Sequence, residues 1–157
     1  MLRIFVFLSI LIVIPCRGEV GTGDYRVLLG AWYQKENQAL VADALSQWVF
    51  SDVCPELGTR IRFNKAHEGI QIVMVDPEFA IPPSKITVTI SDARTYIVRR
   101  VRQSGLPIEA PLMECKVSNS DTMECTFPFS SNGGSKENTT LGFYKEAKDP
   151  FPNCWNI

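Results

Sequence analysis

The stretch LMECKVSNSDTMECTF, residues 112–127, carries the triplet Met-Glu-Cys twice, ten residues apart, around a polar Ser-Asn-Ser-Asp centre. Side chains alternate between the two faces of a strand, so folding this stretch about Ser120 fixes what meets what. One face then sets Met113 against Phe127, Cys115 against Cys125 and Val117 against Met123; the other sets Lys116 against Glu124 and Ser118 against Thr122. Apolar and sulfur-bearing side chains collect on one side and complementary charges on the other, as a half-buried antiparallel hairpin requires. The repeat is therefore a folding signal rather than a metal or redox motif. No two cysteines stand in C-x-x-C spacing, and His67 is the only histidine, so neither a zinc site nor another metal or cofactor is expected.

What the cysteines do depends on the compartment. Residues 1–18, MLRIFVFLSILIVIPCRG, place Arg3 before an apolar run from Ile4 to Ile14 and end on Pro15 and the small Gly18, the pattern of a secretory signal. The expected organisation is a signal peptide at 1–18 and one secreted domain at 19–157. No later segment is long and apolar enough for a spanning helix. Cleavage removes Arg3, Arg17 and Cys16, leaving 14 basic residues against 17 acidic ones and a net charge of −3. A general attraction to nucleic acid is not implied by that balance. Four cysteines remain, Cys54, Cys115, Cys125 and Cys154, and an even count in an exported chain reads as two disulfides. Three pairings are open: Cys115 with Cys125 and Cys54 with Cys154, or either arrangement in which each hairpin cysteine reaches one of the distant two. Asn138-Thr139-Thr140 is a glycosylation sequon in a loop-like setting, making Asn138 the expected acceptor of a glycoprotein.

One segment has helical periodicity. Val41, Ala44, Leu45, Trp48 and Val49 share a face after Asn37, a residue suited to capping, and Pro55 forbids continuation. The rest alternates or is rich in β-branched and aromatic residues, predicting strands over 24–33, 59–64, 69–75, 85–91, 95–103 and 141–146 beside the hairpin. Segregation of one helix from a run of strands predicts an α+β domain, a single helix packed on a twisted antiparallel β-sheet and stabilised by disulfides.

Chemistry is sparsely represented. The chain has no G-x-S-x-G, P-loop or H-E-x-x-H motif, and His67 falls in the turn-like KAHEG, so no catalytic residue is expected. The densest charge lies in DARTYIVRRVRQ: Arg94, Arg99, Arg100 and Arg102, with Tyr96 sharing a strand face with Arg94, Arg100 and Arg102. These five form the candidate binding surface, a basic patch with an aromatic platform for phosphate or RNA; as a plain structural feature they are the charges of an edge strand.

Tyr25-Arg-Val-Leu-Leu-Gly30, TYIVRRVRQSGLPI and MECTF around Cys125 together resemble the opening motif, the late long strand and turn, and the closing cysteine strand of ribonuclease-like secreted effectors of powdery mildew fungi. The resemblance implies a ribonuclease-T1-like sheet with its helix, and Leu28 stands where that family has its first cysteine. With one histidine the implied role is non-catalytic: a secreted virulence effector that binds host protein or RNA, outside cells or after delivery into them. A ribonuclease or other hydrolase using His67 with a carboxylate is one alternative. The other is an extracellular β-rich domain binding a ligand in an apolar pocket near Trp32, Phe79, Ile81 and Phe143.

Overall fold

A computed structural model describes residues 24–46, 57–77, 80–128 and 138–155. The expected signal peptide, together with Cys54, Trp48, Val49, Pro55 and Phe79, lies outside the described residues.

Each expected strand has a counterpart in the structure, though not always with the expected bounds. They are β1 (Gly30–Gln34), β2 (Arg60–Lys65), β3 (Ile70–Val75), β4 (Ala80–Asp92), β5 (Thr95–Arg100), β6 (Met113–Asn119), β7 (Thr122–Phe127) and β8 (Thr139–Lys145). Each pairs antiparallel with the next in sequence, and β8 returns to pair with β1 through Trp32 with Lys145, Tyr33 with Tyr144 and Gln34 with Phe143. The sheet is thus a closed eight-stranded up-and-down barrel. This corrects the expected architecture of a single helix packed on an open, ribonuclease-T1-like sheet. Alternation specifies one apolar face per strand but not what that face meets, and here it meets the other strands across the barrel. Closure also removes the unpaired edges that an open sheet must protect.

The hairpin has the register read from the repeat, with Cys115 opposite Cys125, Lys116 opposite Glu124 and Val117 opposite Met123. Only its tip departs: a bulge pairs Asn119, rather than Ser118, with Thr122. The first expected strand, 24–33, divides into a 3-10 helix (Tyr25–Leu28) and β1.

Inward positions build one continuous core: Trp32 from β1, Ile61 and Phe63 from β2, Ile70, Ile72 and Met74 from β3, and so on round to Phe143 of β8. Outward positions are largely polar, including Thr87, Thr89, Arg99, Glu114, Lys116 and Glu124. A barrel spanning lipid has the opposite polarity. No described helix is long and apolar enough to cross a membrane.

The helix α1 (Gln38–Ser46) lies in the connection between β1 and β2. It does not carry the main core. Its Val41 joins a smaller outer cluster with Ala31, Tyr33, Leu57, Val73, Tyr144, Phe151, Cys154 and Trp155, over which the C-terminal 3-10 helix (Pro152–Trp155) also packs. Asn37 falls within a short 3-10 helix (Lys35–Asn37) and donates from Nδ2 to the Leu57 carbonyl at 2.6 Å, tying off the long connection. A β-carbon on Gly58 (φ 61°) would lie 2.8 Å from that Asn37 nitrogen, so a side chain there would strain the backbone and push the Asn37 amide from its place.

Candidate functional site

The barrel's two ends differ. The turns between β2 and β3, β4 and β5, and β6 and β7 are short and share one end, where the chain also enters β1 and leaves β8. The four remaining connections, all at the other end, include the two longest, residues 35–59 and 101–112.

The first end is closed by the N-terminal 3-10 helix. Asp24 caps it, accepting from the Arg26 backbone N–H at 3.1 Å. Trp32 Nε1 donates to the Leu28 carbonyl at 2.7 Å, and Lys145 Nζ donates to the Val27 carbonyl at 2.7 Å while lying 4.7 Å from the centre of the Trp32 indole. Two adjacent inward side chains on β1 and β8 thereby hold the closing helix by its own terminal carbonyls. Burial pushes the Lys145 ammonium below the usual lysine range. Its nitrogen is committed to a structural bond rather than aimed into a reaction site.

The interior is apolar and rich in sulfur. Met113, Cys115, Met123 and Cys125 all point inward and are fully buried, so the repeated triplet lines one wall of the barrel, and Met74 adds a third methionine. Cys115 and Cys125 are bonded to each other. Cys154 is also disulfide-bonded, and the Cys54 end of the expected second pairing lies outside the described residues. Trp32, Ile81 and Phe143, three of the four residues expected around an apolar pocket, all belong to the buried core of this interior. The carboxylates on the described strands, Asp92, Glu114 and Glu124, are exposed, and no inward strand position among the described residues holds an imidazole or carboxylate. His67 is exposed in the turn between β2 and β3. Among the described residues no cluster of metal-ligating side chains forms.

The arginine-rich segment is divided by the fold. Arg94 sits in the β4–β5 turn at the short-turn end, its guanidinium 3.3 Å from the Ser118 carbonyl. Arg100 ends β5 and Arg102 follows it, both exposed at the far end of that strand. Arg99 faces outward and donates to the Glu109 carbonyl at 3.1 Å. Tyr96 points into the barrel with 7% exposure and packs in the core. The structure therefore leaves Arg100 and Arg102 exposed at the end of β5, turns Arg99 to the outer face, and separates all three from Arg94 and from the tyrosine ring. Asn138 is exposed immediately before β8.

Sequence reasoning did not reach the polar centre on the outer wall. Asp149 accepts from Tyr33 Oη at 2.5 Å, from Trp155 Nε1 at 2.8 Å and from the Phe151 backbone N–H at 3.0 Å, and lies 3.5 Å from the Arg62 guanidinium. Arg62 and Arg60 both stand over the Trp155 ring, and Arg60 donates to the Cys154 carbonyl at 2.8 Å. Burial, reinforced by the Asp149 carboxylate, pushes the Tyr33 phenol far above its usual range; burial does the same to Tyr144. This centre locks the C-terminal segment to the barrel. The clustered aromatics of DPFPNCW were its only signal in the sequence.

Compared with protein-family models, curated proteins and solved structures, the chain matches none.

Proposed function

We propose that this protein is an extracellular, non-catalytic carrier that holds one small apolar molecule inside its barrel. The observation that carries this reading is the closed ring of eight strands with an apolar inward face. Barrels of this strand number are either filled by their own side chains or just wide enough for one small ligand, as in lipocalins and streptavidin, and the analogy is one of architecture alone. Three features support the ligand-holding form. One end is closed by a fixed helix, the other carries the longest connections, and the wall between includes unbranched methionines that repack around different shapes at little cost. The absence of inward carboxylates and imidazoles on the described strands supports binding without turnover. Secretion fits the disulfide and the sequon at Asn138.

The test is displacement of a fluorescent apolar probe from purified protein, with native mass spectrometry to count bound ligand. One ligand per chain is expected. Leu141→Trp, which adds bulk at an inward position near the long-connection end of β8, lowers probe affinity at least about tenfold while the fold is retained. Failure of fatty acids, retinoids and the probe to bind, or binding unchanged in Leu141→Trp, would sink the proposal. Purified protein is expected to leave RNA intact; cleavage lost in His67→Ala would instead make it a nuclease.

A further inference from the structure

We infer that the lip between β5 and β6 is a docking surface for anionic lipid membranes. Two large hydrophobic side chains are exposed among the described residues, Leu106 at 65% and Leu40 at 46%. Leu106 lies in the β5–β6 connection at the end with long connections, whereas Leu40 lies on α1, whose Val41 packs on the outer wall. A single exposed leucine is ordinary on a protein surface; what sets Leu106 apart is its place beside exposed arginines in the same connection.

The lip is fixed before any partner arrives. Arg102 N–H donates to the Leu106 carbonyl at 2.8 Å, Gly105 N–H donates to the Arg102 carbonyl at 2.9 Å, and Val101 bridges to Pro107. Gly105 takes φ 84°, the left-handed conformation that closes a tight turn of this length. Leu106 is thus held at a rigid tip, and docking it costs little conformational entropy.

Its flanks are cationic. Arg100 and Arg102 are exposed, and among the described residues neither is in an ion pair. Glu109 is the only acidic residue in the segment from Val98 to Leu112. The full chain carries a net charge of −1, so this positive stretch departs from the general surface. An apolar tip beside arginines fits the boundary between phosphate headgroups and acyl chains: the leucine enters the apolar layer while the guanidiniums remain with the phosphates. RNA would satisfy the arginines and leave Leu106 in water, which is why lipid is the occupant assigned.

The experiment is co-sedimentation of the full protein with vesicles of phosphatidylcholine alone and with vesicles also carrying phosphatidylserine. Partition onto the anionic vesicles is expected to exceed that onto neutral ones by about 25-fold at moderate ionic strength and to fall with added salt, since each of two arginines contributes about fivefold. Arg100→Gln and Arg102→Gln each remove about fivefold. Leu106→Ser removes about tenfold and leaves the salt dependence in place. All three positions are exposed, so the variants fold, and circular dichroism checks it. Equal partition onto both vesicle types, full retention of binding in Leu106→Ser, or binding of RNA without vesicle partition would overturn the inference. Membrane docking at this lip does not require a ligand in the barrel. Probe binding in the three variants is expected to be unchanged, so the two proposals fail separately.

Discussion

Lys145 Nζ sits 4.7 Å over the Trp32 ring and reaches past it to the Val27 carbonyl, so one lysine joins the last strand, the first strand and the N-terminal helix. Lys145→Met keeps the apolar stem and removes both interactions. It is expected to lower unfolding free energy by about 2 kcal/mol, from a charged hydrogen bond and a partly desolvated cation–π contact. Trp32→Phe, which loses the bond to the Leu28 carbonyl as well as the larger ring, is expected to cost about as much. A double-mutant cycle by urea unfolding should give a coupling of at least about 0.5 kcal/mol. Strict additivity would mean that the two side chains hold the helix independently.

The Cys115–Cys125 bond lies inside the barrel, and neither residue has any exposed surface. A reductant reaches a disulfide by attack of a thiolate on sulfur, so this bond should resist reduction until the barrel opens. Thiol alkylation followed by mass spectrometry is expected to find it intact under native conditions with reductant and fully labelled once denaturant is added. Replacing both cysteines by alanine removes a ten-residue cross-link and should cost about 2 to 3 kcal/mol by the chain-entropy argument. Rapid labelling in native buffer would show that β6 and β7 separate readily.

Alkaline pH should unfold the protein through its outer wall. Burial raises the phenols of Tyr33 and Tyr144, and in Tyr33 the Asp149 carboxylate adds to it, so both remain protonated in the folded state above the unfolded value of about 10. A group whose folded pKa is raised contributes stability that is complete below the unfolded pKa and is lost as pH climbs above it. Stability is therefore expected to decline above about pH 10, with tyrosinate absorbance from these two residues appearing together with loss of structure. Titration of all tyrosines ahead of unfolding would contradict the burial described here.

The strands were legible because each carries its own alternation: Ile70, Ile72 and Met74, or Met113, Cys115 and Val117, announce an inward face without help from the rest of the chain. Closure was not legible, because it rests on Trp32, Tyr33 and Gln34 finding Lys145, Tyr144 and Phe143 more than a hundred residues later, and no local pattern encodes that pairing. The same separation hid the site. Arg94, Tyr96, Arg100 and Arg102 share a face on an idealised long strand, but β5 ends at Arg100, Arg94 is in a turn, and the face in question points into the barrel. Periodicity places residues on faces; the curvature of the sheet decides which face is solvent.

Asp149 offers the sharpest test of how the C-terminal segment is held. Its carboxylate takes three hydrogen bonds, from Tyr33, Trp155 and the Phe151 backbone, with Arg62 near enough to balance its charge. Asp149→Asn is nearly isosteric but exchanges one acceptor oxygen for a donor, which then confronts the Tyr33 hydroxyl or the Trp155 N–H. The expected loss is about 2 to 4 kcal/mol, because the bonds are to a charged acceptor and the Tyr33 hydroxyl is left buried. Tyr33→Phe removes that hydroxyl together with its demand for a partner and should cost less. Local release has its own readout: Lys148 is exposed beside the hub, so trypsin should cut there faster in Asp149→Asn, liberating the C-terminal peptide once the Cys154 disulfide is reduced. Equal cleavage rates in the wild type and Asp149→Asn, with equal stabilities, would mean that the apolar packing of Phe151 and Trp155 holds the segment without the carboxylate.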